Sequence, residues 1–165
     1  MDKNGAIVAD RVYSDGVLVA EDVSITLPEV TQQTTEVIFG GTNEIPITGW
    51  TDAMEATITK IGIDMGLTQL LRLQSQSIEC RFVQDTLAPD GTITPKGYKA
   101  FLRCIPKGIP GLSVEPGNNS ENEVALSVTR YEMMIDNKRA WLIDKLNNIF
   151  EVGGTDYAKN INSLL

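Results

Sequence analysis

Seven residues, TQQTTEV from Thr31 to Val37, fit a self-contained globule worse than any other part of this chain. The threonines, and the lack of proline and glycine, favour an extended backbone. A strand with one face in a core alternates apolar and polar residues, and this one does not. It reads as a strand that is polar on both faces, and any fold for the chain must say what such a strand is for.

Elsewhere the alternation is orderly. VYSDGVLVA reads as a hairpin around Asp15-Gly16, a dipeptide that accepts the positive φ of a tight turn. DVSITL puts Val23, Ile25 and Leu27 on one face and stops at Pro28. DAMEATITKIGI sets Met54, Ala56 and Ile58 against Glu55, Thr57 and Thr59, a strand with a wet side. SIECRFVQD and TPKGYKAFLRCI flank the turn Pro89-Asp90-Gly91, and EVALSVTRYEMMID is a long alternating strand.

DMGLTQLLRLQ switches to helical spacing, with Ile63, Leu67, Leu70, Leu71 and Gln74 in one stripe and Asp64 near its start. GGTNEIPITGW, Gly40 to Trp50, reads as a loop with exposed apolar residues, and KGIPGLSVEPGNNSENE as a second loop. Asn118-Asn119-Ser120 within it fits a glycosylation acceptor, but in a cytosolic chain it is only polar loop. Leu142, Leu146, Ile149 and Phe150 have helical spacing, so periodicity makes RAWLIDKLNNIF a helix. DYAKNINSLL is a short terminal helix at best. Strands first, one main helix, then more strands indicate an α+β fold with a dominant antiparallel sheet.

With 165 residues, 42% of them hydrophobic, the chain can bury a core as a single domain over residues 1–165 without supporting metal or disulfides. No apolar run approaches the roughly 18 residues of a membrane span, and the first ten residues lack the pattern of a signal peptide. Residence in the cytosol is expected. Cys80 and Cys104, the two cysteines, sit on apolar faces of strands and read as buried reduced thiols. With no histidine, the usual closed zinc site and the Ser-His and Cys-His nucleophiles are excluded. Carboxylate chemistry of the glycosidase kind could be nominated for Glu21-Asp22 or for Asp52 with Glu55, against the plainer reading of solvated surface acids. No phosphate loop or calcium loop is present. No enzyme, cofactor or metal is expected.

The net charge of −8 is unevenly spread. Between Val12 and Leu71 stand nine acids, Asp15, Glu21, Asp22, Glu29, Glu36, Glu44, Asp52, Glu55 and Asp64, against one base, Lys60; the remainder holds 13 of each. One strongly negative surface is expected if this segment folds to one side, with a uniformly solvated acidic surface as the alternative. Specific nucleic-acid binding, which needs Lys and Arg on phosphate, is disfavoured.

Taken in order, EDVSITLPEV, the Gly40-Gly41 loop, MEATITKIGI running into its helix, and PGNNSENEVALSVTRYEMMIDNKRAWLIDKLNNIFEVGGTDY resemble the major tail tube protein of contractile-tailed bacteriophages, from about Asp15 to the C-terminus. The resemblance lies in order and local patterns, such as V-S-I-T-L-P, and not in a catalytic signature. It implies a tail-tube type β-barrel or sandwich whose strands join a continuous barrel in a hexameric ring. Such rings stack into a hollow tube inside a contractile sheath, in phages and in phage-tail-like bacteriocins, and related tubes serve type VI secretion. The implied partners are further copies of the chain and the sheath, baseplate, tape-measure and terminator proteins. DNA is passing cargo without specific binding, and there is no stable membrane association. The implied place is a virion tail or tail-like particle made in the bacterial host cytoplasm. The resemblance also turns RAWLIDKLNNIFEV into a strand region after a hairpin at Asp136-Asn137-Lys138.

In that setting a strand can be wet on a channel face and meet protein on the other. Negative walls would keep DNA from sticking, acting over a screening length of about 8 Å at physiological salt. The channel-lining candidates are Gln32, Thr34, Glu36, Glu55, Thr57 and Thr59. Candidates for subunit or ring contact are Gly40, Gly41, Ile45, Ile47, Trp50, Val114, Asn118 and Asn119, in the loops Gly40 to Trp50 and Ile109 to Asn122, with Trp50 as the aromatic anchor. A β-rich binding module with an acidic face is the alternative from another class.

Overall fold

The computed structural model describes residues 1–165. Twelve strands and two short helices follow in the order β1 (Lys3–Ser14), β2 (Val17–Glu21), β3 (Ser24–Thr26), β4 (Gln32–Ile38), β5 (Thr42–Thr51), β6 (Met54–Ile61), α1 (Met65–Leu70), β7 (Gln76–Leu87), β8 (Ile93–Pro106), β9 (Glu121–Ile135), β10 (Lys138–Asp144), β11 (Ile149–Val152), β12 (Thr155–Asp156) and α2 (Lys159–Ser163). Every pairing is antiparallel, so the fold is mainly antiparallel β with minor helix.

Ten strands form one sheet in the order β12-β11-β10-β9-β8-β7-β1-β2, with β6 on β9 and β3 on β6. The N-terminal part of β9 pairs with β6, from Glu121↔Ile61 to Val128↔Met54, and its C-terminal part pairs with β10. Between them Thr129 is an extra residue: Arg130 opposes Arg103 and Val128 opposes Cys104 on β8. This bulge shifts the buried phase of β9 from Val124, Leu126 and Val128 to Tyr131 and Met133, so both halves still face the core beneath Ala100, Leu102 and Cys104. The path β3-β6-β9-β8-β7-β1-β2 ends on two strands that only Asp22 and Val23 separate in the chain. The sheet therefore curls back on itself, although no ladder joins β2 to β3.

The core lies inside this curl. Val12, Ala56, Ile58, Cys80, Ala100, Cys104, Val124 and Leu126 are fully buried, and Leu67 and Leu70 of α1 cover its end. Asp64 caps α1, its carboxylate accepting from Leu67 N–H at 3.0 Å. Lys60 reaches the same end, donating to the Val19 carbonyl at 2.6 Å and to Asp64 at 2.8 Å.

The expected hairpins at Asp15-Gly16 and Asp136-Asn137 are present, with φ of 49° and 82° in the first and 51° and 62° in the second. Three expectations are corrected. The segment Gly40 to Trp50 is not a loop: only Phe39 to Gly41 turn, and Thr42–Thr51 is strand β5. The helical spacing of Leu142 to Phe150 is a coincidence of two strands and a tight turn, with Leu146 in that turn and 75% exposed; the family resemblance had this region right. The main helix spans six residues, leaving Ile63 and Gln74 outside it and exposed, and α2 is no larger in kind, with no buried residue.

Candidate assembly surfaces

The polar strand is β4, and it does not belong to the main sheet. It pairs only with β5, as a two-stranded hairpin that leaves the body after Thr31 and returns at Asp52. Its base is pinned by Asp52 N–H donating to the Thr31 carbonyl at 2.8 Å and by Lys145 Nζ on the Asp52 carbonyl at 2.9 Å. Its tip is a turn of Phe39, Gly40 and Gly41, with φ of 64° and 122° at the glycines, stiffened by Phe39 N–H to the Gly41 carbonyl and Asn43 Nδ2 to the Phe39 carbonyl, both at 2.9 Å. Isolated two-stranded hairpins are marginal in water. Here Ile38 and Phe39 are each 85% exposed, and every residue from Gln33 to Pro46 is exposed.

The ladder register divides this hairpin into two faces. Glu36 stands directly opposite Glu44, with Thr34 opposite Pro46 and Ile38 opposite Thr42 on the same face. Thr35 opposite Ile45 and Val37 opposite Asn43 make the other. One face carries both glutamates and the other is uncharged, with Val37 and Ile45 beside Thr35 and Asn43, a division hidden by reading either strand alone. Pro46 is tolerated because β5 has no second neighbour to receive its missing N–H.

The other channel-lining candidates lie on β6. Met54, Ala56 and Ile58 point into the core, while Glu55 is exposed and Thr57 and Thr59 are half-buried on the opposite face, continued by Thr26 and Ser24 of β3 in register. Glu55 is bonded to Lys107 at 2.7 Å. The structure thus separates the six candidates into two groups, Gln32, Thr34 and Glu36 on the hairpin and Glu55, Thr57 and Thr59 on the main sheet.

The contact candidates are all accessible in the single chain. Gly40 and Gly41 form the hairpin tip, Ile45 is 46% exposed, Ile47 is half-buried, and Trp50 is 63% exposed beside Gln33 and Asn148 in a groove of about 240 Å³. Val114, Asn118 and Asn119 lie in the segment between β8 and β9, where Val114 is 83% exposed. Asn122, the end of that nominated segment, is instead buried at the start of β9, donating to the Gly62 carbonyl at 2.9 Å.

Nothing gathers the acids into a reactive centre. Glu21 is paired with Arg11 at 3.2 Å, and none of Glu21, Asp22, Asp52 and Glu55 lines the largest groove, about 520 Å³. Asp15 and Asp64 are held below the usual carboxylate range. For Asp15 the first cause is the Ser77 backbone N–H, followed by Arg72; for Asp64 it is the Lys60 ammonium, followed by the Leu67 N–H. Those are structural acids kept ionised, the reverse of a general acid held protonated. Cys80 and Cys104 are free and buried, and desolvation pushes each thiol up to about 12.

The family model for phage tail tube protein FII matches residues 6–165. No curated protein matches the chain in sequence. Among solved structures, the fold is similar to a chain in the cryo-EM structure of an extracellular contractile injection system, the PVC sheath-tube complex in the extended state: TM-score 0.52 and 14% identity over 76% of this chain and 88% of that one. It is equally similar to a chain in the PVC sheath/tube terminator in the extended state, with the same score and identity over 76% of this chain and 92% of that one. At this identity the likeness speaks to fold.

Proposed function

Because the chain belongs to the phage tail tube protein FII family, we propose that it acts as a non-catalytic wall subunit, assembling into hexameric rings that stack as the inner tube of a contractile tail or tail-like particle. The observation that carries this reading is the β4–β5 hairpin, a two-stranded sheet with both faces exposed and no partner in its own chain. Unpaired edges and an unsupported hairpin are liabilities in a solitary protein. In a ring they become joints, each copy completing the wall of the next through head-to-tail contacts.

The channel face in this reading includes Glu55, Thr57 and Thr59 on β6, extended by Ser24 and Thr26 and by Gln32 and Thr34 at the hairpin base. A hydrophilic wall whose one acid, Glu55, is already paired with Lys107 lets a polyanion slide without forming the ion contacts that would hold it. Glu36 is the third ladder pair from the hairpin turn, where the strand meets a neighbouring copy. Trp50, Ile45, Ile47, Val114, Asn118 and Asn119 supply contact between subunits or rings. The sheath is the outer partner, in keeping with the sheath-tube complex that contains a chain of similar fold. Terminator, baseplate and tape-measure proteins meet the ends and the interior, and the place of action is the tail of the particle.

Negative-stain electron microscopy of the purified chain tests this. Rings or tubes of uniform diameter are expected; a chain that stays monomeric at high concentration overturns it.

A further inference from the structure

The β4–β5 hairpin has two free edges, and they are not alike. In an antiparallel ladder, opposed residues alternate between pairs that exchange backbone hydrogen bonds and pairs whose N–H and C=O groups point away from the partner strand. At the tip the Phe39 N–H donates to the Gly41 carbonyl at 2.9 Å, and at the base the Asp52 N–H donates to the Thr31 carbonyl at 2.8 Å. From the tip inward, Val37↔Asn43 and Thr35↔Ile45 are therefore bonded pairs, while Ile38↔Thr42, Glu36↔Glu44 and Thr34↔Pro46 point their backbone groups outward. The base has the same phase: a bond between Asp52 and Thr31 makes Gln32↔Thr51 an outward pair too.

On β4 the outward groups belong to Gln32, Thr34, Glu36 and Ile38, evenly spaced at about 7 Å, and no strand lies on that side. The stretch Gln32–Ile38 contains neither proline nor lysine, the residues with which edge strands commonly block unwanted pairing. On β5 the outward groups of the arm belong to Thr42, Glu44 and Pro46, and Pro46 has no N–H to offer. Beyond it, Ile47, Thr48, Gly49 and Trp50 stand against Gln33 alone, a wide bulge with Gly49 at a φ of 79°. A proline and a bulge thus close the edge of β5, while that of β4 is open along its whole length. A row of alternating N–H and C=O groups at this spacing is matched by extended backbone.

We propose that the outer edge of β4 is a strand-pairing joint, taking up a free edge of the main sheet in a second copy of the chain, while the edge of β5 stays unpaired. This rests on the tube reading and says which edge makes the joint. One open and one closed edge give each hairpin a single strand neighbour, as a ring of head-to-tail copies requires; a hairpin open on both sides would admit two. Pairing of β4 with β4 would be two-fold and stop at a dimer, so donor and acceptor edges belong to different strands. Because β3 leads into β4, β5 leads into β6, and β3 pairs with β6, a strand added to β4 links the main sheets of two copies.

The test sets Glu36→Pro against Glu44→Pro, opposed positions that each lose one charge and one outward N–H. Pro46 shows that the hairpin accepts proline at an outward position. Tube formation by the full chain is read by sedimentation and negative stain, and slow amide exchange at Val37 and Asn43 in the free subunit checks that the hairpin is intact. E36P should raise the concentration needed for assembly by about tenfold or more, while E44P and E36A should stay within about threefold of wild type. If E36P does not fold, T34P, opposite Pro46, replaces it. In wild-type tubes the amides of Thr34, Glu36 and Ile38 should exchange about tenfold or more slower than in the free subunit, with those of Thr42 and Glu44 unchanged. E36P assembling like wild type, E44P or E36A as impaired as E36P, or protection on β5 instead of β4 overturns the joint and leaves the tube reading standing. A wild-type chain that forms no tubes overturns both.

Discussion

The Lys60 ammonium donates to the Val19 carbonyl at 2.6 Å, tying the end of β6 to β2 across the open end of the core. Lys60 is 8% exposed, and its second bond, to Asp64, reaches the residue that caps α1. Replacing it by methionine keeps the bulk and leaves a buried carbonyl without its donor. Lys60→Met should cost about 2 kcal/mol, measured as a lower urea midpoint with an unchanged slope.

Asp64 and Asp15 both have pKa values lowered by folding. Each therefore adds stability that is fully present above the ordinary value of 3.8 and is lost as pH falls through the lower folded value. Stability measured by urea unfolding, followed by circular dichroism across pH, should fall less steeply below pH 3.8 in Asp64→Asn and Asp15→Asn than in wild type.

The thiols of Cys80 and Cys104, pushed up to about 12 and enclosed between β7, β8 and β9, are protonated and out of reach at pH 8. A thiol reagent such as DTNB should leave the native chain unmodified for hours and titrate both cysteines at once in guanidinium. Rapid native labelling would show that the sheet opens there.

Trp50 is an aromatic side chain left 63% exposed at the foot of the hairpin. Trp50→Ala should change the melting of the free subunit by less than about 0.5 kcal/mol but weaken tubes by about 2 kcal/mol per contact. Dissociation of preformed tubes in denaturant separates the two effects; tubes of unchanged stability would discard the anchor role.

The main sheet was legible because its alternation is local: Met54, Ala56 and Ile58, or Ile78 and Cys80, announce a buried face within a few residues. Strand β5 was not, because Pro46 and Gly49 carry turn chemistry and its partner strand has no core to impose a pattern. Leu142, Leu146 and Ile149 mimicked a helix because a four-residue turn fell where a helical repeat would place its next apolar residue. The candidate surfaces were legible only in part. The wet face of β6 follows from alternation, whereas the opposition of Glu36 to Glu44 and the alignment of Arg81 with Lys99 depend on the register between paired strands, which neither strand alone encodes.

The single surplus residue at Thr129 makes β9 a strand with two reading frames. Removing it would set Arg130 directly after Val128, straightening the ladder while Tyr131 and Met133 kept their inward phase, whereas a residue lost or gained elsewhere in the paired part of β9 would turn one half's buried side chains toward water. Position 129 is thus where descendants of this chain can shorten β9 by one at least cost, and a lineage that did so elsewhere would have to rebuild part of its hydrophobic centre in the same step.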